Sequence, residues 1–307
     1  MNALVSFVMR GPLQSILVIV VCAAISLILP PVSIFTAAII ALITLRNGVK
    51  PGLTILLGAS LILGFFAFVA MPNGLAFAFL ISLVVTVIPV WFLAIVLRTT
   101  ISLAKTLSAA VLLGCVMVLF VHMAFPDPAQ WWESVLTAAL QPAFDAGQLT
   151  AEGLNLEESV KALSAWMTGL VAAAMVSSFI ASLLLGRWMQ SLLYNPGGFK
   201  EEFFGVRLGR ELSIVTVAAL LVAGLLGGGG GAGVFAQDLL WVFGAVYVIP
   251  GLSIIHQWIG TLAKPVVWLV VTYVLLLFVP QVMAIIAIMG LVDTWVNIRA
   301  RLPQQES

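Results

Sequence analysis

Long runs of apolar residues, separated by short clusters of proline, glycine and charge, dominate the chain from residue 13 to residue 297. A helix needs about 20 predominantly apolar residues to cross a bilayer, so each long run predicts a membrane-spanning helix. Cutting the runs at charges, proline and glycine gives ten segments: 13–29, 32–45, 52–70, 75–97, 102–125, 163–186, 212–228, 239–259, 265–279 and 281–297. The pattern therefore predicts an all-α, polytopic transmembrane helical bundle of eight to ten spans, with ten preferred.

Two boundaries between these segments depend on proline. Pro30 and Pro31 divide the apolar stretch 13–45, and Pro280 divides the stretch 265–296. Proline removes a backbone donor and disfavours helical backbone in the residue before it, so each site is either a tight hairpin or a kink in one long helix. Hairpins are favoured, because a kink at Pro280 would place the C-terminal arginines on the opposite side from the other basic loops.

The charged residues divide the connecting loops into two groups. Loop 126–160 carries six carboxylates and no lysine or arginine, whereas 46–50, 98–105, 187–211 and the C-terminus are rich in basic residues. Cytoplasmic loops of membrane proteins carry an excess of lysine and arginine. We therefore expect both termini to be cytoplasmic, the acidic loop to lie outside, and the protein to be a multi-pass membrane protein.

The segments and loops predict three regions. An N-terminal membrane half of five spans covers residues 1–125, and an outer acidic loop with an interfacial helix covers 126–162. A C-terminal membrane half of five spans covers 163–301 and includes an inner amphipathic loop at 187–211.

Both large loops contain helix signals. Asp127-Pro128 is typical of an N-cap followed by proline at the first helical position, and the two tryptophans that follow suit the headgroup level. In the inner loop, the stretch 199–208 mixes phenylalanines with charges, which is typical of a short helix lying on the membrane surface. The same pattern also suits a docking surface for a cytoplasmic partner. The candidate docking residues are Phe199, Phe203, Phe204 and Arg207.

Composition excludes several classes of protein. The chain of 307 residues is 63% hydrophobic and 8% charged, and its mean hydropathy is +1.21. Soluble proteins carry about 25% charged residues, so a water-soluble body is excluded. A net charge of +1 gives no field that would favour a nucleic-acid partner. Two cysteines and two histidines, widely scattered, supply no ligand set for a metal, and no cofactor is expected.

Polar residues inside membrane spans are costly, so each one is a functional candidate by default. The candidate polar or ligand-contact residues are His256, Asp293, Gln257, Lys264, Arg299, His122, Trp131 and Trp132. His256 and Asp293 are expected at similar depth near the inner face. There a His–Asp or Lys–Asp pair would fix packing, relay a proton or contact a ligand. His122 is expected at the outer interface.

Enzyme motifs are absent from the sequence. The chain contains no H-E-x-x-H metal helix, no G-x-x-x-x-G-K-[ST] phosphate loop and no G-x-S-x-G nucleophile elbow. Asp238 and Asp293 are expected on opposite faces of the membrane, which excludes a paired aspartate site. We therefore expect no enzymatic activity, and any active transport would need an ion gradient or a separate motor subunit.

Three short motifs carry a family resemblance: PGLSIIH at 250–256, GLVDTW at 290–295 followed by Arg299, and the inner-loop run from Arg187-Trp188 through YNPGGF at 194–199. They resemble the YybS-like family of predicted bacterial membrane proteins, a domain of unknown function. The resemblance implies a multi-pass protein of the bacterial cytoplasmic (inner) membrane. The stretch 31–64 is distantly similar to the S-components of energy-coupling-factor vitamin transporters and to MreD-type shape proteins.

The resemblance implies two alternative functions. S-components bind a small vitamin or metal from outside and dock on a membrane coupling protein, which implies small-solute capture or transport with a site beneath the outer loop. MreD-type proteins imply a non-transporting scaffold for envelope assembly or regulation, with the inner loop contacting the partner. The expected partners are the lipid bilayer, a small-molecule solute and a membrane coupling or scaffold protein.

Overall fold

The computed structural model describes residues 1–146, 156–226, 231–262 and 264–301, and the secondary structure within them is entirely helical. The α-helices of these residues are α1 Asn2–Val8, α2 Pro12–Ser26, α3 Ser33–Asn47, α4 Val49–Ala70, α5 Asn73–Thr100, α6 Leu103–Ala124, α7 Pro128–Asp145, α8 Leu156–Tyr194, α9 Gly198–Phe204, α10 Arg210–Leu226, α11 Gly231–Thr261, α12 Val267–Phe278 and α13 Pro280–Val296. Short 3-10 turns, Pro30–Val32 and Ile298–Arg301, lie before α3 and after α13.

Each of the ten predicted segments coincides with a separate helix, but the helices differ widely in length. Among the described residues, six are long and apolar enough to cross a membrane: α3 with the turn before it, α4, α5, α6, α8 and α11. The pair α12 and α13 adds a seventh only if it is counted as one broken span. α2 has 15 residues and α12 has 12, which gives lengths of about 22 and 18 Å against a hydrocarbon core of about 30 Å. Six or seven spans, rather than ten, therefore meet the length criterion.

Both proline sites break the helix. Leu29 precedes Pro30 with φ −125° and ψ 82°, and Val279 precedes Pro280 with φ −124° and ψ 93°, so neither residue is helical. The proline ring excludes helical backbone at the preceding residue, which is why both breaks fall there. The chain bends by 114° between α12 and α13. α2 and α3 run antiparallel, because the start of α2 and the end of α3 line the same small cleft.

α3 lies at the centre of the bundle. Its ten consecutive residues from Thr36 to Leu45 are all buried, and it packs against α5 and α8. Gly186 of α8 permits this close approach, since a Cβ atom there would lie 2.7 Å from the Ala38 carbonyl oxygen. A helix that is apolar on every side is stable only when neighbours cover it completely. The two membrane halves therefore share one core and do not form separate bodies.

Two glycines allow α11 and α13 to cross in direct backbone contact. A Cβ atom on Gly251 would lie 2.1 Å from the Ile286 carbonyl oxygen, and one on Gly290 would lie 2.2 Å from the Tyr247 carbonyl oxygen. Small residues at such crossings let helices associate closely in membranes. This contact places the end of α13 beside the end of α11, where the candidate site lies.

The fold places most of the basic residues on one side of the bundle. α7 precedes the 39-residue helix α8 and α9 follows it, so these two short helices mark opposite ends of the bundle, the α7 side and the α9 side. Twelve of the thirteen lysines and arginines lie on the α9 side, and Lys161 near the start of α8 is the exception. The turn between α1 and α2 and the C-terminal turn 298–301 are both on the α9 side. The turn after α1 and the turn after α13 therefore share one face of the bundle.

Replacing Gly290 by alanine is expected to destabilise the protein by about 1–3 kcal/mol, because the new methyl group meets backbone that cannot move freely. The measurement is the thermal unfolding midpoint of the purified protein in detergent. Gly244→Ala on α11 is the matched control, since a Cβ atom there has no neighbour within 4 Å. Equal midpoints for the two variants would contradict the packing described above.

Candidate functional site

A cleft of about 760 Å³ opens on the α9 side, between the end of α8, α9, the end of α11 and the start of α12. Ligand-binding clefts in proteins are typically about 300–1,000 Å³ and mainly apolar, with a few polar groups. The lining fits this description. Its aromatic, basic and hydroxyl side chains are Trp188, Ser191, Phe199, Lys200, Phe203, Phe204, His256, Lys264 and Tyr273.

His256 and Tyr273 form the polar contact inside the cleft. His256 Nε2 and the Tyr273 hydroxyl oxygen are 2.9 Å apart and share a hydrogen bond that joins α11 to α12. The Phe203 ring packs edge-on against the His256 ring, with 5.5 Å between the centroids. The imidazole is thus held from two directions, which leaves the rest of its surface facing the cleft.

Side chains from α11 hold α9 in place as the wall of the cleft. The Ser253 hydroxyl donates to the Phe203 carbonyl at 2.7 Å, and the Gln257 amide donates to the Phe204 carbonyl. The last carbonyl groups of a helix have no partner within the helix and need external donors. α11 provides those donors, so the position of α9 depends on these two polar residues.

Arg299 completes the same attachment from the C-terminal turn. Its guanidinium donates to the Phe204 carbonyl, to the Val206 carbonyl at 2.6 Å and to the Pro250 carbonyl at 3.3 Å. Burial lowers the pKa of Arg299 below its ordinary value, and the nearby carboxylate of Asp293 acts in the opposite direction. Arg299 therefore joins three parts of the chain and needs a counter-charge beside it.

Asp293 supplies that counter-charge and is 1% exposed. Arg299 Nε lies 3.1 Å from Asp293 Oδ2, and Arg207 Nε lies 3.4 Å from the same oxygen. Neither carboxylate oxygen has an aligned hydrogen bond within the described residues. Arg207 also donates to the Asp293 backbone carbonyl at 2.8 Å. The carboxylate is thus held by two positive charges and not by directed hydrogen bonds.

The expected pair of Asp293 with His256 or Lys264 does not form. Asp293 faces the arginines, whereas His256 faces Tyr273 on α12 and Lys264 lines the cleft. His256 and Lys264 lie at the same end of the bundle as Asp293, but they line the cleft, whereas Asp293 lies outside it.

The predicted surface helix 199–208 is shorter than expected. α9 ends at Phe204, and the non-helical residues after it carry Val206 and Leu208 into the core, where they are 2% and 4% exposed. A continuous surface helix would leave these two side chains outside the bundle. The candidate docking residues Phe199, Phe203 and Phe204 line the cleft. Arg207, the fourth candidate, forms an ion pair with Asp293.

The α7 side brings together a second set of polar residues. His122 Nε2 is 2.7 Å from Asp238 Oδ2, and the Gly169 backbone N–H donates to Asp238 Oδ1 at 2.9 Å. Asp238 is 1% exposed and lies within α11. The sequence predicts that His122 and Asp238 lie on the same side of the membrane, but it does not predict that they form a pair. The structure shows a carboxylate in a membrane helix that is matched by two donors.

α7 begins as predicted and covers this region. The Asp127 side chain accepts a hydrogen bond from the Gln130 backbone N–H at 3.1 Å, so it is the N-cap. Trp132 Nε1 donates to the Thr168 hydroxyl at 2.9 Å, and the Trp131 ring stacks on Phe125. These tryptophans are engaged in attaching α7 to the bundle. The middle of the acidic loop, 147–155, lies outside the described residues.

Four of the aromatic, basic and hydroxyl cleft residues were not identified from the sequence: Trp188, Ser191, Lys200 and Tyr273. Tyr273 is one of three tyrosines in the chain and interrupts the apolar helix α12, which was a usable signal. The other three gave no such signal, because their position near α12 depends on how α9 folds back.

Comparison with known proteins gives a family for this chain. A family model described as "Predicted membrane protein (DUF2232)" matches residues 15–294, which is most of the sequence. The chain belongs to this family. No curated protein and no solved structure matches it. The part shared with the DUF2232 family includes the helices that form the cleft and Asp293, whereas Arg299 lies beyond it.

Replacing Asp293 by asparagine in this DUF2232 protein is expected to lower stability by about 3–5 kcal/mol, the usual cost of leaving a buried charge without its partner. The charge left behind is Arg299, whose side chain is 9% exposed. The measurement is the unfolding midpoint of the purified protein. Glu201→Gln, at an exposed site on α9, is the matched control and should have little effect. An unchanged midpoint for Asp293→Asn would show that Arg299 does not depend on this carboxylate.

Proposed function

We propose that this DUF2232 protein captures a small amphiphilic molecule in the cleft on the α9 side and handles it as a membrane solute-binding component. The cleft is the observation that supports this function. Its volume of about 760 Å³ suits a small ligand, and its lining combines aromatic surface with two lysines and a His–Tyr pair. The aromatic rings would contact the apolar body of the ligand, and the polar groups would orient its head.

This proposal keeps the small-molecule binding suggested by the sequence but moves the site to the other end of the bundle, away from the side on which an S-component binds its solute. The sequence favoured a site beneath the outer loop, near His122, Trp131 and Trp132. In the structure these side chains contact Asp238, Phe125 and Thr168, and so they have partners within the protein. The cleft of about 760 Å³ lies at the other end of the bundle.

We further propose that the α9 side faces the cytoplasm of a bacterial inner membrane. Twelve of thirteen lysines and arginines lie on that side, and the positive-inside rule places such a side in the cytoplasm. α2 and α10 would then cross the membrane as short spans. The bent pair α12–α13 would either cross twice or enter and leave on the same side. Both arrangements put the two termini in the cytoplasm.

This orientation predicts opposite labelling of two single-cysteine variants. Gln130→Cys on α7 should react with a membrane-impermeant maleimide in intact spheroplasts, whereas Glu201→Cys on α9 should react only after permeabilisation. Both positions are exposed in the structure. The background for both variants replaces Cys22 and Cys115, which are half-buried, by serine. The reverse labelling pattern would invert the topology.

Filling the cleft tests the proposed function directly. Gly260 lines the cleft, and a Cβ atom there meets no other atom within 4 Å, so Gly260→Leu adds bulk without a clash at its first carbon. Gly244→Leu is the matched control on the same helix, also in open space but outside the cleft. In native mass spectrometry of protein extracted gently from its own membrane, wild type and Gly244→Leu should carry a stoichiometric small-molecule adduct. Gly260→Leu should lose most of it.

A different outcome of that measurement would favour the scaffold role. A stoichiometric protein partner without any small-molecule adduct would contradict solute capture. The phenylalanines of α9 would then be contacts for that partner, as the MreD-like alternative expects. An adduct retained fully by Gly260→Leu would also contradict the proposed cleft.

A further inference from the structure

The cleft carries positive charge that the described parts of the protein do not neutralise. Lys200 and Lys264 line it, and no carboxylate is among the described lining residues. Glu202, on the same short helix as Lys200, pairs with Arg187 outside the cleft. Lys200 Nζ lies 5.5 Å from the Phe204 ring centroid, so this ammonium group rests on an aromatic face. The remaining titratable groups that face the cleft are His256 and Tyr273.

One wall of the cleft is also a lipid-facing surface. α12 has no buried residue in the structure. Val266, at the edge of the cleft, is 71% exposed, and Trp268 on the neighbouring face is 54% exposed. Apolar side chains this exposed in a membrane protein are covered by lipid acyl chains. A molecule in the cleft therefore borders the bilayer along α12 and the charged surface at α9.

These two properties select one class of ligand. A soluble anion would satisfy the lysines but leave the aromatic and aliphatic lining without a partner. A neutral lipid would cover that lining but leave both ammonium groups without a counter-charge. An anionic phospholipid supplies a phosphate for the lysines and acyl chains for α12, and basic pockets between membrane helices bind such headgroups.

We infer that the cleft binds one anionic phospholipid from the leaflet on the α9 side, with its phosphate between Lys200 and Lys264 and an acyl chain along α12. This inference rests on the proposed function, because it names the amphiphile that the cleft takes up. It requires that the headgroup charge, and not only the hydrocarbon, contributes to binding.

The test compares two defined lipids on the delipidated full-length protein. Palmitoyl-oleoyl phosphatidylglycerol and phosphatidylcholine, which share the same acyl chains, are titrated separately, and the dissociation constants are measured by native mass spectrometry. Each lysine near a lipid headgroup is worth about a factor of five in affinity. Wild type should therefore bind the anionic lipid at least about tenfold more tightly than the zwitterionic one.

Charge-matched variants locate the effect. The double variant Lys200→Gln/Lys264→Gln should lose the preference for the anionic lipid while it retains binding of the zwitterionic one. The control Lys105→Gln/Arg210→Gln removes the same charge from exposed positions on the α9 side that do not line the cleft, and it should keep the preference. Equal affinities for both lipids in wild type, or equal losses in both double variants, would overturn the inference.

Two further arms separate this inference from the proposed function. Gly260→Leu should weaken binding of both lipids, and if it weakens neither, the cleft is not the site and both proposals fail. If Gly260→Leu weakens both lipids but wild type shows no charge preference, only the lipid inference fails. Glycerol 3-phosphate should not displace the bound lipid, and displacement at equimolar concentration would identify a soluble phosphate ligand instead.

Discussion

Arg299, together with Ser253 and Gln257, supplies the hydrogen-bond donors that the last turn of α9 lacks, and the position of α9 depends on these three side chains. Arg299 joins the end of α9, the chain after it and α11 through three backbone carbonyl groups. Carbonyl groups without partners are costly next to a hydrocarbon phase. Asp293 stabilises this arrangement by balancing the charge of the Arg299 guanidinium. The cleft has a defined wall because these carbonyls are satisfied by the protein and not by water.

The two ends of the bundle handle charge in different ways. On the α7 side, the Asp238 carboxylate has two hydrogen-bond partners, the His122 ring and one backbone N–H. On the α9 side, Asp293 meets two arginines without aligned hydrogen bonds, while other cations stay exposed. The α7 side is therefore closed by paired groups, whereas the α9 side retains unmatched positive charge beside an open cleft.

Features that depend on local sequence could be predicted, and features that depend on packing could not. The proline breaks at Pro30 and Pro280 and the N-cap at Asp127 follow from backbone chemistry, and the structure confirms all three. The burial of α3 could not be predicted from its sequence, because α3 and the more exposed helix α4 are both apolar on every face. In a membrane, lipid-facing and core-facing positions carry the same residue types, so periodicity does not distinguish them. The contact between Arg299 and Phe204 spans 95 residues and required the fold.

The shortness of α12 has a mechanical consequence for the surrounding bilayer. With 12 residues it is about 18 Å long, and it lies beside α11, which has 31 residues. A bilayer about 30 Å thick cannot match both helices without deformation. A bilayer that α12 crosses must therefore thin, or its lipids must tilt, along the edge of the protein that α12 forms. Lipids at such an edge would be packed less tightly than in the bulk membrane, which would lower the barrier for one of them to leave its neighbours.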